Sequence, residues 1–315
     1  MLREFLLPLV KYFTPFNIFR YLTFRSAYAA VTSLLISYVL GPWLIDRLRV
    51  LKFGQSVRLD GPQSHLTKTG TPTMGGLLII LSVLISVVLW IDITSKYCWI
   101  ALSALIGFGL IGAADDFLKI KKHSSDGLSA AQKLILQFIV STIVVYAIYR
   151  TTGPSITKLY VPFFKVHVVD LGVYWLPIAI IYVATWSNAV NITDGLDGLA
   201  VGLVIFAVLA FSVLTYVTSR ADWSQYLGLP YIKQASELTV FNFALLGACV
   251  GFLWFNAHPA EIFMGDVGSL SLGGVLAVLS LMVKKEILIL VIGGVFVIEI
   301  GSVMMQVIYF KLTKG

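Results

Sequence analysis

Residues 97–122 read YCWIALSALIGFGLIGAADDFLKIKK, and this stretch decides the fold class. Its first 18 residues, 97–114, carry no charged side chain, and a run of that length is typical of a helix that crosses a bilayer. The acid pair Asp115 and Asp116 follows directly, and a basic cluster comes after it. The stretch therefore predicts a membrane-spanning helix with ionisable groups at one end.

The composition of the whole chain also indicates a membrane protein. Of its 315 residues, 58% are hydrophobic and 12% are charged, whereas a soluble globular domain carries about 25% charged residues. Lys and Arg outnumber Asp and Glu by 23 to 16. Because the chain has neither a basic stripe nor a zinc motif, this excess favours an anionic lipid surface or an anionic substrate and excludes nucleic acid as the expected partner.

Nine apolar segments approach the length of a membrane span, and no internal repeat divides them. We therefore expect an all-α polytopic membrane protein with nine transmembrane helices, forming a single domain over residues 1–315. The nine segments are 24–45, 73–91, 97–114, 133–150, 173–190, 198–218, 238–256, 267–283 and 286–310. Residues 1–20 contain two prolines and no cleavage site, so we expect them to form an interfacial arm that is not removed.

Almost all unusual polar motifs lie in the loops that follow spans one, three, five and seven. Consecutive spans alternate in direction, so these four loops share one face of the membrane. They are residues 46–72, 115–132, 188–197 and 256–266. Lys and Arg divide almost evenly between the faces, but dense basic clusters in 46–72 and 115–132 favour the cytoplasm for this motif face.

The first motif loop contains GQSVRLDGPQSHLTKTGTPTMGG, residues 54–76. It combines Lys68 with flexible glycines and several threonine hydroxyls, among them Thr73. Such a segment can bring a cation, hydroxyl groups and backbone N–H groups to a phosphate. The alternative is a hydrophilic connector that ends in a helix cap.

The second motif is the acid pair Asp115 and Asp116, which we expect at the end of span three. Carboxylates at a helix C-terminus meet the negative end of the helix dipole, and Lys119 can offset part of that cost. Ionisable residues at membrane depth indicate a functional site by default. The alternative is a charged turn whose side chains reach the water.

The third motif is NAVNITDGLDGLA, residues 188–200. Its spacing of three would place Asn188, Asn191, Asp194 and Asp197 on one helix face, whereas the glycines favour a broken helix or a tight turn. Amides and carboxylates between apolar spans cannot face lipid, and they suit the hydroxyls and imide of a sugar or nucleoside. A purely structural polar network is the alternative.

The fourth motif is NAHPAEIFMGDVGSLSLGG, residues 256–274, with Asp266 at the opening of span eight. Asp266 could cap that helix, with help from Ser269, or it could bind a hard cation such as Mg²⁺. In span nine, Glu299 and Gln306 lie seven residues apart, which predicts a polar stripe that faces the bundle interior.

Together these segments resemble the phospho-N-acetylmuramoyl-pentapeptide transferase family of bacterial membrane enzymes, over residues from about 12 to the last. The segments DGPQSHLTKTGTPTMGG, DDFLK, NAVNITDGLDGLA and GFLWFNAHPAEIFMGDVGSL carry the resemblance. The related polyprenyl-phosphate N-acetylhexosamine-1-phosphate transferases usually have a third acid after the double Asp. Here Lys119 stands in that place, which favours the muramoyl branch.

The resemblance implies an activity in peptidoglycan synthesis. Undecaprenyl phosphate would attack UDP-MurNAc-pentapeptide, giving lipid I and UMP, with Mg²⁺ as cofactor. It also implies ten spans, a homodimer and an active site on the cytoplasmic side of the bacterial inner membrane. The family pattern continues through a histidine-rich segment and a tenth helix, whereas this chain ends at FKLTKG, so we expect it to lack both.

The resemblance also implies the site residues. The catalytic residues would be Asp115, Asp116, Asp266, Lys119 and Lys133. The metal ligands would be Asp266 and Asn191. The uridine and sugar-phosphate site would be formed by Lys68, Thr73, Asn188, Asn191, Asp194, Gly195, Leu196, Asp197, Phe263 and Gln306.

Two questions stay open at this point. The reaction could proceed by a single displacement, in which Asp115 orients or deprotonates the lipid phosphate, or through a phospho-aspartyl intermediate. A secondary transporter or an inactive subunit is the alternative of a different class. Transporters place polar groups near the bilayer centre and use both faces, whereas the motifs here lie on one face.

Overall fold

The computed structural model describes residues 1–51, 71–122, 127–161 and 168–313. Within these residues, eight helices are long and apolar enough to cross a membrane, and one shorter apolar helix accompanies them. The prediction of an all-α polytopic membrane protein is confirmed, and the nine predicted segments correspond, in the described residues, to these eight helices and the shorter one. The helices are α1 (Leu22–Val50), α2 (Gly76–Trp90), α3 (Lys96–Lys122), α4 (Ala130–Thr152), α5 (Trp175–Thr193), α6 (Leu199–Thr218), α7 (Ser236–Asn256), α8 (Gly265–Met282) and α9 (Gly294–Thr313).

An N-terminal arm precedes α1. It consists of three short helical pieces, Leu2–Leu6, Leu7–Lys11 and Thr14–Arg20, and the last two each have a proline in the first turn. Proline suits that position because the first helical N–H groups lack intrahelical partners anyway. Phe19 stacks on Trp90 at the end of α2, with ring centroids 5.9 Å apart. The arm therefore lies at the membrane face opposite the motif loops.

The opposite face also carries the remaining connections. Strands β1 (Lys158–Tyr160) and β2 (Val168–Asp170) pair antiparallel between α4 and α5. Short helices, Ala221–Tyr226 and Ile289–Ile292, lie in two further connections. The buried Lys284 donates to the carbonyl of Ile156 at 2.6 Å and contacts Glu286 at 2.7 Å, so the α8–α9 connection is tied to the segment after α4.

Helix α3 is longer than its sequence pattern predicts. The acid pair was expected at the end of the span, but the helix continues for six residues beyond Asp116. Lys119, Lys121 and Lys122 lie in that last turn, where positive side chains complement the negative end of the helix dipole. Asp115 and Asp116 therefore lie within the helix, and the predicted unfavourable placement at its C-terminus was wrong.

The last predicted span, 286–310, is shifted and interrupted. Helix Ile289–Ile292 ends before Gly293, and α9 then runs to Thr313. Phe296 is the one buried residue of α9 among those described, and it packs edge-on against Trp186 of α5. The two adjacent glycines explain the break, since glycine is the weakest helix former after proline.

Helix α8 forms the centre of the bundle, and every residue from Val267 to Met282 is buried. Its neighbours approach closely because both sides offer small residues. Gly112 of α3 lies against the carbonyl of Asp266, and Gly76 of α2 lies against the backbone of Gly268. Small residues at such crossings are typical of helix packing in membranes. These contacts bring the start of α8 against the acid pair of α3.

Candidate active site

Three carboxylates meet where α3 contacts the start of α8. Asp115 and Asp116 are each 3% exposed, and together with Asp266 they offer three oxygen atoms that lie within 4.8 Å of one another. Isolated charges at this depth are costly, so such a cluster needs cationic partners. The one-face arrangement of the loops had predicted that these acids would lie on the same side of the membrane, and the structure brings them into one cluster.

Two lysines supply the positive charge. The ammonium nitrogen of Lys119 lies 2.6 Å from Asp115 Oδ2, 3.7 Å from Asp116 Oδ1 and 2.9 Å from Asp266 Oδ2. Lys133 of α4 contacts the same Asp266 oxygen at 2.7 Å. Three carboxylates and two ammonium groups leave a formal charge of −1. The three acids therefore already surround the ammonium group of Lys119.

Backbone groups orient the acid pair. Asp115 Oδ1 accepts a hydrogen bond from the N–H of Leu128 at 2.7 Å, and Asp116 Oδ2 accepts one from the N–H of Val267 at 3.3 Å. Gly265 has a φ of +70°, a left-handed conformation that favours glycine. This turn directs the first N–H groups of α8 toward Asp116.

Asp266 does not act as a helix cap. Helix α8 begins at Gly265 and is preceded by Met264, without a side-chain hydrogen bond at the cap position. Asp266 lies in the first turn, and its carboxylate contacts lysine and amide side chains. Of the two interpretations left open by the sequence, the structure therefore favours the one in which Asp266 belongs to the polar site.

Asn191 at the end of α5 holds Asp266 from the other side. Its Nδ2 donates to Asp266 Oδ1 at 2.9 Å and to Ser269 Oγ at 2.7 Å. The Ser269 hydroxyl donates to the carbonyl of Gly265 at 3.0 Å, so it must accept from Asn191. This fixes the amide with its nitrogen toward Asp266 and its oxygen toward Lys133, 3.5 Å away.

Asn188, one turn deeper in α5, is engaged by a residue that the sequence motifs did not reveal. Gln137 of α4 donates to Asn188 Oδ1 at 3.1 Å and accepts from Asn188 Nδ2 at 2.7 Å. The second N–H of Asn188 donates to the carbonyl of Ala184 at 2.9 Å. A signal for Gln137 did exist, since it is an amide inside an apolar span, four residues after Lys133.

The turn between α5 and α6 carries the second half of the third motif. Helix α5 ends at Thr193, and Gly198 at φ +72° precedes α6, so the predicted broken helix is confirmed. Asp197 Oδ2 contacts Nδ1 of the exposed His258 at 3.1 Å. Asn256 accepts from the N–H of Gly198 at 3.1 Å and donates to the carbonyl of Ile262, which joins this turn to the α7–α8 loop. Sequence reasoning did not single out Asn256.

Asp194 follows directly after α5. Removal from water raises the pKa of its carboxyl group from an ordinary 3.8 to about 8, and the negative charges of Asp266, Asp116 and Asp197 act in the same direction. Gly195 and the exposed Leu196 complete the turn. A carboxyl group that keeps its proton near neutral pH can donate a hydrogen bond as well as accept one.

Thr73 and Phe263 lie beside the cluster, on two segments that backbone hydrogen bonds join to each other. The N–H of Phe263 donates to the carbonyl of Pro72 at 2.8 Å, and the N–H of Gly75 donates to the carbonyl of Phe263 at 2.9 Å. The buried Thr73 borders Gly265, because a Cβ on that glycine would lie 2.7 Å from Thr73 Oγ1. The end of the first motif loop is thus held against the start of α8.

The remaining predicted residues lie elsewhere. Gln306 is exposed on α9 and donates to Ser302 of the same helix at 3.1 Å, and no described hydrogen bond joins it to the acid cluster. Its role in substrate binding stays a prediction. Lys68 lies outside the described residues.

The donor set suits a hard divalent cation. Carboxylate oxygens are the protein ligands that Mg²⁺ prefers, and it usually takes one or two of them together with water and substrate phosphates. The cluster offers three carboxylates from α3 and α8, with one already bound to the amide nitrogen of Asn191. The acidic groups therefore fit Mg²⁺, whereas Asn191 in this orientation offers it no oxygen.

Comparison with known proteins finds relatives that match the chain over its whole length. The sequence profile of glycosyl transferase family 4 matches residues 98–284, which contain all three acids of the cluster. A phospho-N-acetylmuramoyl-pentapeptide-transferase of Desulfatibacillum aliphaticivorans is 50% identical over 320 residues, which cover 100% of this chain and 88% of that protein. Proteins of the same description from Thermodesulfovibrio yellowstonii and Rickettsia felis are 46% and 49% identical, with the same coverage.

Proposed function

This chain belongs to the phospho-N-acetylmuramoyl-pentapeptide-transferase family, and on that premise we propose that it makes lipid I. It transfers phospho-MurNAc-pentapeptide from UDP-MurNAc-pentapeptide to undecaprenyl phosphate and releases UMP. The observation that carries this proposal is the cluster of Asp115, Asp116 and Asp266 around Lys119, at the membrane face where a water-soluble nucleotide substrate can meet a lipid phosphate.

The reaction is a displacement at phosphorus. An oxygen of undecaprenyl phosphate forms a bond to the β-phosphorus, and the bond from that phosphorus to the bridging oxygen breaks. UMP leaves with the electron pair of that bond. Little covalent chemistry falls to the protein, so its contribution is positioning and stabilisation of negative charge.

Lys119 and Lys133 are suited to bind the phosphates. Both ammonium groups already lie at Asp266, so a diphosphate at the cluster would meet two cations. Asp116 and Asp266 would hold Mg²⁺, which would supply further charge neutralisation. Asn191 contributes by holding Asp266 in place through its amide nitrogen.

Asp115 is the residue that we assign to the lipid phosphate. A phosphate monoester has a second pKa near 6, so it is largely dianionic at pH 7, and a base adds little to its nucleophilicity. Asp115 therefore mainly orients the nucleophile in a single displacement, by holding Lys119 at 2.6 Å in position for the phosphate oxygens. Stereochemistry at the β-phosphorus tests this assignment: we expect inversion, and net retention would show a two-step route.

We expect the nucleotide to bind around the α5–α6 turn and the two hydrogen-bonded segments that contain Thr73 and Phe263. Thr73, Asp194, Asp197 and Phe263 border the cluster or the loops joined to it. Lys68, Gly195, Leu196 and Gln306 remain proposed substrate residues by family resemblance. Asn188 is a weaker choice for direct contact, because both of its N–H groups already have partners.

We place the motif face in the cytoplasm of a bacterial cell, within the inner membrane, and we expect a homodimer. The basic clusters of the first two motif loops support this orientation. The cytoplasm is also the compartment in which a nucleotide-activated precursor would be encountered. Labelling of a cysteine placed in either set of loops, in intact cells and after permeabilisation, tests the orientation.

The activity itself is tested with the purified chain in proteoliposomes. We expect labelled UDP-MurNAc-pentapeptide and undecaprenyl phosphate to give lipid I, and labelled UMP to exchange into the nucleotide substrate. EDTA should abolish both reactions, and Mg²⁺ should restore them. UDP-N-acetylglucosamine serves as the control substrate, and its preferential use would instead indicate the hexosamine-phosphate branch.

A further inference from the structure

Gln137 lies inside the bundle, where it has no access to a substrate. It is 1% exposed, and it belongs to none of the four motif loops. Its amide forms a closed pair with Asn188, in which each side chain donates to the other, at 3.1 Å and 2.7 Å. Within a membrane-spanning bundle, such polar pairs hold helices together because an unpaired amide has no water to bind.

Two polar contacts join α4 and α5, and the pair of Gln137 and Asn188 is the deeper one. Four residues before Gln137, one turn closer to the motif face, lies Lys133. Three residues after Asn188, at the same level, lies Asn191. Lys133 and Asn191 contact each other at 3.5 Å, and both contact Asp266, at 2.7 Å and 2.9 Å.

The Gln137–Asn188 pair defines how α4 and α5 pack against each other. A slip of one residue would move a side chain by about 1.5 Å along the helix and about 100° around it, which breaks both amide hydrogen bonds. An apolar side chain in place of Gln137 would tolerate that slip, because apolar contacts are not directional. The slip would also separate Lys133 and Asn191 from Asp266.

We propose that Gln137 is a positioning residue of the active site: by pairing with Asn188 it fixes the register of α4 and α5, so that Lys133 and Asn191 both reach Asp266. The inference rests on the proposed function, because it takes Asp266 as a group that binds the metal. Gln137 itself touches neither metal nor substrate. It acts through the contacts of Lys133 and Asn191 with Asp266.

The test uses Mn²⁺ as a probe for the metal site, in the absence of substrates. Free Mn²⁺ is measured by electron paramagnetic resonance during titration of the purified full chain, beside its melting temperature and its turnover. For Gln137→Leu we expect Mn²⁺ affinity to fall about 10- to 100-fold, which is the usual effect of losing a group that orients a metal ligand. Turnover should fall with it.

Ser141→Ala is the matched control. Ser141 lies one turn further along the same face of α4, it is fully buried, and its hydroxyl has no hydrogen-bond partner among the described residues. We expect Mn²⁺ affinity and turnover of this variant to remain within about twofold of the original chain, since no paired group is left behind.

Two double variants separate positioning from stability. Gln137→Leu with Asn188→Leu leaves no unpaired amide, so the melting temperature should recover while Mn²⁺ binding stays weak. Gln137→Asn with Asn188→Gln keeps a reciprocal pair of the same combined length and should restore Mn²⁺ affinity. Because substrates are absent, a role of Asn188 in nucleotide binding does not affect this readout.

Specific results would overturn the inference. If Gln137→Leu lowers the melting temperature but the folded protein binds Mn²⁺ normally, Gln137 is merely structural. Failure of the exchanged amide pair to restore Mn²⁺ affinity would also contradict it. If the original chain binds no Mn²⁺, the metal part of the proposed function is wrong, and normal turnover of Gln137→Leu would then refute the positioning role as well.

Discussion

The substitution Gly265→Ala tests how closely the start of α8 is fitted to the acid pair. Gly265 has a φ of +70°, and a Cβ at this position would lie 2.5 Å from Asp116 Oδ2, 2.7 Å from Thr73 Oγ1 and 3.0 Å from the backbone nitrogen of Met74. The new methyl group therefore meets a proposed metal ligand and a proposed substrate residue at the same time.

Two separate costs follow from this geometry. A left-handed backbone conformation costs a non-glycine residue about 1–2 kcal/mol, which lowers the free energy of unfolding. In addition, Asp116 Oδ2 must retreat from 2.5 Å to an ordinary contact of 3.4 Å, a shift of about 0.9 Å. A misplacement of about 1 Å at a catalytic group can lower the rate about 100-fold, equivalent to about 2.7 kcal/mol in the activation free energy.

Gly228→Ala is the matched control. Gly228 has a φ of +64°, lies on the opposite face, and would place its Cβ with no described heavy atom within 4 Å. Lipid I formation and melting temperature are measured for both variants. We expect both variants to lose melting temperature, Gly265→Ala more because its methyl group also meets buried atoms, but a loss of turnover of about 100-fold only for Gly265→Ala. Equal turnover in the two variants would refute the claim that α8 is closely fitted to Asp116.

Three further substitutions test individual carboxylates. Asp266→Asn should lower Mg²⁺-dependent turnover at least about 100-fold, since charge stabilisation by a bound metal contributes several kcal/mol; the measurement is a Mg²⁺ titration of lipid I formation. Asp115→Asn should lower turnover about 100-fold with little loss of nucleotide-substrate binding, measured by calorimetry, because its carboxylate positions the nucleophile. The folded protein raises the pKa of Asp194 from an ordinary 3.8 to about 8. The contribution of this group to the free energy of unfolding is therefore largest below pH 4 and is lost as the pH rises to 8. Asp194→Asn should therefore show a smaller fall of melting temperature between pH 4 and pH 8, measured in EDTA.

Each of these expectations has an opposing result. Unchanged Mg²⁺ dependence in Asp266→Asn would remove Asp266 from the metal site. A parallel loss of binding and rate in Asp115→Asn would argue against its role at the lipid phosphate. An unchanged pH dependence in Asp194→Asn would show that the carboxyl group at this position does not keep its proton in the folded protein.

Much of the site could be predicted because the order of spans determines which loops share a face. Alternation placed Asp115, Asp116, Asn191 and Asp266 on the same side before any contact was known, and the structure joins all four. The contact of Asp266 with Lys119 and Lys133 could not be read from spacing, because it depends on how closely α8 approaches α3 and α4. The approach to α3 depends on Gly112, a glycine that has no polar signature in the sequence.

Other features were missed because hydropathy reports composition and not partners. Gln137 resembles an isolated polar residue in an apolar span until α5 places Asn188 opposite it. The orientation of Asn191 depends on the hydroxyl of Ser269, whose only sequence-based role was a possible cap. The extension of α3 past Asp116 follows from favourable charge at its end, and the apolar count stops before those lysines.

The enclosed position of α8 has a consequence for biosynthesis. Chains are made from the N-terminus, so α2, α3 and α5, against which α8 packs, have already been synthesised when it emerges. Its abundant glycine and serine make it a poor partner for lipid, and a groove lined by Gly76 and Gly112 is available to receive it. Asp266 would then reach Asp115 and Asp116 only late in assembly, so a nascent chain that ends before α8 carries an acid pair without its third carboxylate.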